Sequence, residues 1–182
     1  VRIPLLGLDL RLVPAGESDI GSDAWPASQP VHSVYTEPFY LGLYEVTQRQ
    51  WSALGVENPS TSKGDNLPVH DVSWQDAVAW IAKLNERTGG RFRLPTEAEW
   101  ERAAQPATSP LVEHAWYRAN SAIAPAAPFR ESNAYAPRPV GSKRPNPLGF
   151  FDMQGNVAEW CSSLFRPYPW TPAADRESLS AP

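Results

Sequence analysis

An α+β domain of short strands, short helices and proline-braced loops is the fold class this sequence predicts, on three observations. The first is the run Thr88–Ala104, TGGRFRLPTEAEWERAA, which ends one helix, crosses an extended segment and opens another. The second is a period-two alternation early in the chain, Leu8, Leu10 and Leu12 against Asp9 and Arg11. The third is composition: 20 Pro and 11 Gly among 182 residues, yet 42% hydrophobic residues and 8 Trp. Such a balance excludes disorder and describes a folded chain rich in irregular loops.

Each element follows from local chemistry. Ile3 to Val13 carries the first strand signal, and Glu17 to Pro30 reads as a polar loop. His32, Val34 and Thr36 alternate with Val31, Ser33 and Tyr35 in a second strand, and Phe39 to Tyr44 form a third. Thr47 and Gln50 make a capping box that starts a short helix near 48–54, closed by Gly55. A polar loop covers 56–67. Ser73 with Asp76 caps a helix over about 74–86, whose predicted inner face is Trp74, Ala77, Val78, Ile81 and Leu84. Gly89 and Gly90 end it, because glycine enters the left-handed region freely.

Phe92 and Leu94 alternate with Arg91 and Arg93 as a short half-buried strand, which Pro95 stops. Thr96 and Glu99 form another capping box, in which a hydroxyl and a carboxylate satisfy the N–H groups that a helix start leaves unpaired. That helix, Glu97 to about Ala104, turns Trp100 and Ala103 inward. A Pro- and Ala-rich meander then runs to Arg138, Val140 leads into 149–160, and the tail from Pro167 is polar and turn-rich. The long loops near 17–30 and 121–139 exceed the usual connection length, which marks them as functional candidates.

Composition excludes several functions. Sixteen basic and 20 acidic side chains give a net charge of −4. Arg138, Lys143 and Arg144 are close but interrupted by prolines, so they read as a solvated loop and not as a nucleic-acid groove. One cysteine, Cys161, permits no internal disulfide. No apolar run is long enough for a membrane span. There is no internal repeat, no Gly-x-Ser-x-Gly, no phosphate-binding loop and no zinc pattern. The chain starts at Val1, as a processed mature form or a trimmed one would.

RLPTEAEWERAA resembles a motif of the formylglycine-generating enzyme (sulfatase-modifying factor) family, as do GFFDMQGNVAEW at 149–160 and FYLGLYEVT at 39–47. LVPAG at 12–16 and LPVHDVSW at 67–74 fit the same pattern, so five motifs in family order cover roughly residues 10–165. The resemblance implies one C-type-lectin-related α+β domain over 1–182 with little regular secondary structure, in which long loops form the working surface. The family holds both enzymes and non-enzymatic modules, so membership leaves the activity open. A full family domain is expected to continue for tens of residues past Pro182, so this one reads as C-terminally incomplete. The remainder is expected to have been removed, to lie on a separate chain or unseen segment, or to be missing from a shortened variant. An incomplete core would favour a partner at its exposed apolar edges.

The resemblance also names residues. It implies calcium held by Asp152, the carbonyls of Gly155 and Val157, and the carboxylate of Glu159. Calcium takes six to eight oxygens, and a glycine-bearing loop can turn carbonyls inward between two carboxylates. The competing reading has Asp152 capping a turn and Glu159 paired with an arginine. Asn156 reads as a turn residue whose amide satisfies the loop backbone. A second implied calcium site comprises Asn120, the Ser121 carbonyl and Glu131 or Asn133; its competing reading is an asparagine holding a turn.

Catalytic relatives hold copper(I) between two thiolates, which that soft metal prefers. Cys161 alone cannot supply a pair and reads as a small buried hydrophobe, so copper is disfavoured. Another branch uses iron on three histidines. His32, His70 and His114 show no such spacing, and His70 beside Asp71 reads as structural. Trp51, Trp74, Trp100 and Trp160 are expected in the core, while Trp25 and Trp170 are candidate exposed anchors for a protein partner. Ala158 stands where the family commonly has an aromatic residue, which predicts looser packing there.

The favoured expectation is a calcium-braced, non-catalytic binding or regulatory module that engages a protein partner, in a periplasmic or secreted setting. The alternative is a copper or iron oxidoreductase whose metal ligands lie on another segment or chain.

Overall fold

The computed structural model describes residues 1–24, 26–106, 108–121 and 136–164. Trp25, Glu131, Asn133 and Trp170 lie outside them, so the readings on those four stay with the sequence.

Five strands come first. β1 (Arg2–Ile3), β2 (Leu8–Val13) and β5 (Phe39–Gly42) form an antiparallel sheet in the order β1-β2-β5. Val13 pairs with Phe39 and Leu10 with Gly42. β3 (Gly16–Ile20) and β4 (His32–Thr36) form a separate antiparallel pair, from Gly16 opposite Thr36 to Ile20 opposite His32. β3 falls where a polar loop was expected. Glu17, Ser18 and Asp19 hide the strand signal, and pairing with β4 creates the strand while Ile20 anchors it at 1% exposure. Leu12 is exposed, so the Leu8–Leu12 alternation does not bury one whole face.

The helices are α1 (Gln48–Ser52), α2 (Trp74–Thr88), α3 (Glu97–Ala103) and a one-turn α4 (Leu111–His114) within the expected meander. The three expected capping boxes are formed, Thr47 with Gln50, Ser73 with Asp76 and Thr96 with Glu99. Gly89 ends α2 at φ +66°, donating its N–H to the Asn85 carbonyl. The inner face of α2 is rotated from the expected one: Trp80 and Leu84 are buried and Val78 is exposed.

No strand forms at 91–94. Burial alternates as expected, but Asn85 takes the part of a partner strand. Its amide donates to the Phe92 carbonyl at 3.0 Å and accepts from the Phe92 N–H at 2.7 Å.

Two apolar clusters hold the fold. Leu6, Leu8, Trp51, Leu54, Trp80 and Leu84 make one. Trp51 and Trp80 stack there with centroids 5.6 Å apart, and the Trp80 indole donates to the Trp51 carbonyl. Val13, Ala103, Phe150 and Met153 make the other, which seats the 149–160 loop on β2 and α3. Among the described residues no helix is long and apolar enough to cross a membrane.

Candidate functional site

The 149–160 loop is a chain of turns. Asn146 closes the first by accepting from the Phe150 N–H and by donating its own N–H to the Phe150 carbonyl, with Phe150 sealed at 1% exposure. Asp152 (φ +59°) and Asn156 (φ +65°) both sit in the left-handed region, which Asp and Asn tolerate better than most residues. The Asp152 carbonyl accepts from the Gly155 N–H at 3.0 Å. Gly155 is required by contact: a Cβ there would lie 2.1 Å from the Trp116 carbonyl oxygen.

Asp152 is 2% exposed. Its Oδ2 accepts from the Gly141 N–H at 2.6 Å, and its Oδ1 has no hydrogen-bond partner among the described residues. Burial raises its pKa, only partly offset by the Gly141 N–H. Glu159 is exposed by surface area and lines the clefts on either side of it, although its carboxylate has the Trp100 indole and Asp152 as neighbours. Burial pushes it up to about 7, with the Trp100 indole pulling it back and Asp152 adding to the rise.

Sequence reasoning missed the third carboxylate, Glu45, in the segment after β5. Its Oε2 accepts from the Asn156 amide at 2.7 Å and its Oε1 from the Val157 N–H at 3.1 Å. Burial and the charges of Glu159 and Asp152 push Glu45 up to about 9 against those hydrogen bonds. The available signal was an acid inside the apolar run of the YEVT motif. Asn156 behaves as expected and more: besides Glu45, its amide binds the Arg138 N–H and carbonyl.

These residues suit a hard cation. A buried carboxylate oxygen without a donor, beside two more carboxylates held above their usual range, lacks positive charge. Asp152 and Glu159 would supply carboxylate oxygens, with the Gly155 and Val157 carbonyls completing the set. The three carboxylates are not arranged as ligands by themselves, since no group of three or more His, Cys, Asp or Glu among the described residues is placed to hold a metal. A cation there would therefore need backbone oxygens as well.

At the second expected pair, the Asn120 Oδ1 accepts from the Tyr117 N–H, its amide donates to the Ala115 carbonyl, and the Arg138 guanidinium donates to the Ser121 carbonyl. That is the bonding of a braced turn, with an arginine where a cation would stand.

Copper does not fit. Cys161 is half-buried, and burial with the charges of Glu159, Glu97, Glu101 and Glu99 pushes its thiol up to about 12. His70 Nδ1 lies 3.0 Å from Asp71 Oδ2, and His114 meets Ser109 and the Arg144 and Pro145 carbonyls, both structural pairings.

Two further expectations need correction. Trp160 is 48% exposed and tied by its indole N–H to the Val72 carbonyl, so it lies outside the core. Nor is the basic loop, which is irregular and exposes Arg144 as expected, free of contacts. Lys143 lies 4.0 Å and Arg138 5.3 Å from the Trp116 ring centre, and Arg144 pairs with Glu113 at 2.8 Å. These charges brace the fold. Ala158 is exposed and lines a cavity of about 660 Å³ shared with Trp51, Trp80 and Phe92.

The sulfatase-modifying factor enzyme 1-like domain family matches residues 8–177. This chain belongs to that family. It is 33% identical to chaperone protein LppX of Paenibacillus barcinonensis over 189 residues, 77% of this chain and 67% of that protein. It is 38% identical to the formylglycine-generating enzyme of Streptomyces coelicolor over 123 residues, 60% of this chain but only 37% of that enzyme. Among solved structures, Treponema denticola variable protein 1 superposes with a TM-score of 0.74 at 26% identity, covering 88% of this chain and 74% of that one. The α+β formylglycine-generating-enzyme-like fold is thus shared by sequence and by shape.

Proposed function

We propose that this family member is a non-catalytic binding or regulatory module, stabilised by calcium at the 149–160 loop and engaging a protein partner through its loops. The observation that carries the calcium part is the buried Asp152 Oδ1, which has no partner among the described residues and lies in a local excess of carboxylate. Bound calcium would supply the missing charge. Asp152 and Glu159 would hold it, and Glu45 and Asn156 keep the loop in place from the second side.

A binding role is supported by the similarity to LppX, a protein named as a chaperone, over most of both chains. The non-catalytic part is supported by Cys161, a single half-buried thiol that burial and nearby glutamates push above its usual range. The proposed setting is periplasmic or secreted, where weak calcium modules are useful.

The oxidoreductase reading rests on the similarity to the Streptomyces enzyme, which covers little more than a third of it. Metal analysis of the purified protein and oxidation of a cysteine-containing sulfatase peptide separate the two. Calcium binding without peptide oxidation is the expected result. Stoichiometric copper with turnover overturns the proposal.

A further inference from the structure

The pairing of β2 with β5 stops at Val13 opposite Phe39, and that of β3 with β4 takes up at Gly16 opposite Thr36. Pro14 and Ala15 on one strand and Glu37 and Pro38 on the other join the two ribbons, and proline has no N–H to carry the ladder across. The β3–β4 ribbon is therefore a flap on a two-strand hinge, laid against α3. Neither apolar cluster takes a residue from either strand, and Ile20 alone among the flap's apolar side chains is buried. Hydrogen bonds latch the flap at both ends. At the tip the Gly21 N–H donates to Glu101 Oε2 at 2.9 Å, and at the hinge Arg102 Nη2 donates to the Pro14 carbonyl at 2.9 Å.

The contact between these latches is polar and incompletely paired. Gly16, Ser18 and Ile20 share the inner face of β3, with Thr36 opposite Gly16. The Arg102 guanidinium lies against Gly16, where a Cβ would fall 2.7 Å from Nη2. Its Nε and Nη1, the Ser18 Oγ and the Thr36 Oγ1 are buried and have no hydrogen-bond partner among the described residues. Water satisfies each of these groups once the contact opens, so closure forfeits much of what burial gains. We propose that β3 and β4 form a hinged flap that opens from α3 as a local unit while the rest of the domain stays folded. Off α3 the flap is a two-stranded ribbon, which is marginal in water, so its pairing is lost with its seat. The inference stands apart from the binding-module reading.

Native-state hydrogen exchange of the full chain, read by mass spectrometry, tests this. Relative to their intrinsic rates, amides of 16–20 and 32–36 are expected to exchange roughly a hundredfold faster than those of α2. Thr36→Val removes one unmet hydroxyl at nearly constant shape. It should slow exchange in the flap about tenfold and leave α2 unchanged. Glu101→Ala removes the tip latch and should speed exchange in the flap by a similar factor, again without effect on α2. Circular dichroism should be unchanged in both variants. Flap amides protected as strongly as those of α2 overturn the inference. So do variants that both leave flap exchange where it was, or that move flap and α2 together, because the ribbon would then open only with the whole domain.

Discussion

Glu99 and Asp152 are both nearly buried carboxylates in family motifs, and they are treated in opposite ways. Glu99 caps α3 and meets the Arg93 guanidinium at 2.6 and 2.7 Å through both oxygens. Burial alone would raise its pKa, but Arg93 and Thr96 outweigh that and lower it. Asp152 has one N–H donor, one empty oxygen and two acidic neighbours in range, and its pKa is raised. The first arrangement is complete within the fold. The second leaves one carboxylate oxygen without a donor among the described residues.

The comparison can be broken in several ways. The largest expected effect is at Asp152. Calcium at a hundred times its Kd should add about 2.7 kcal/mol to native stability, a rise in melting temperature of roughly 5–10 °C for a chain of this size. Asp152→Ala should abolish that rise. A calorimetric melt that shifts equally in variant and wild type would remove Asp152 from the site.

Arg93→Met should cost about 2 kcal/mol in urea unfolding, equally with calcium and with chelator, because it strands Glu99. The figure is below that of a sealed pair because Arg93 is half exposed. A calcium-dependent loss would mean that the two acid sites are coupled. Ser73→Ala, which removes the N-cap of α2, should cost about 1 kcal/mol, again without regard to calcium.

The gentlest effect is on pH. In the unfolded chain Glu45 and Glu159 ionise near 4.5, whereas the native protein holds their protons to about 9 and about 7. The native state therefore binds more protons in that window, and in chelator stability should fall as pH rises from 5 to 8. Glu45→Gln should flatten the slope measured by thermal melts. A slope of the opposite sign would show that these carboxylates are ionised and paired.

Much of the fold was legible because its signals are local. Thr47, Ser73 and Thr96 announce helix starts through hydroxyls that reach three residues ahead, and Gly89 announces an end. β3 was illegible because Glu17, Ser18 and Asp19 become a strand only when β4 lies beside them. The 91–94 segment erred the other way: its alternation is real, but its hydrogen bonds go to a helix side chain. At the site, Asp152 and Glu159 could be singled out from one short motif. Glu45 could not, since more than a hundred residues separate it from the Asn156 and Val157 groups it binds.

Periodicity, caps and turn residues act over a few positions, so the order of the chain alone sets where helices begin, where they stop and which motif carries the acids. Whether a buried carboxylate is balanced depends on what the fold delivers to its free lone pairs, and that is a matter of three-dimensional approach. Arg93 reaches Glu99 from six residues away, while among the described residues Asp152 is approached by Gly141 on one oxygen and by no donor on the other.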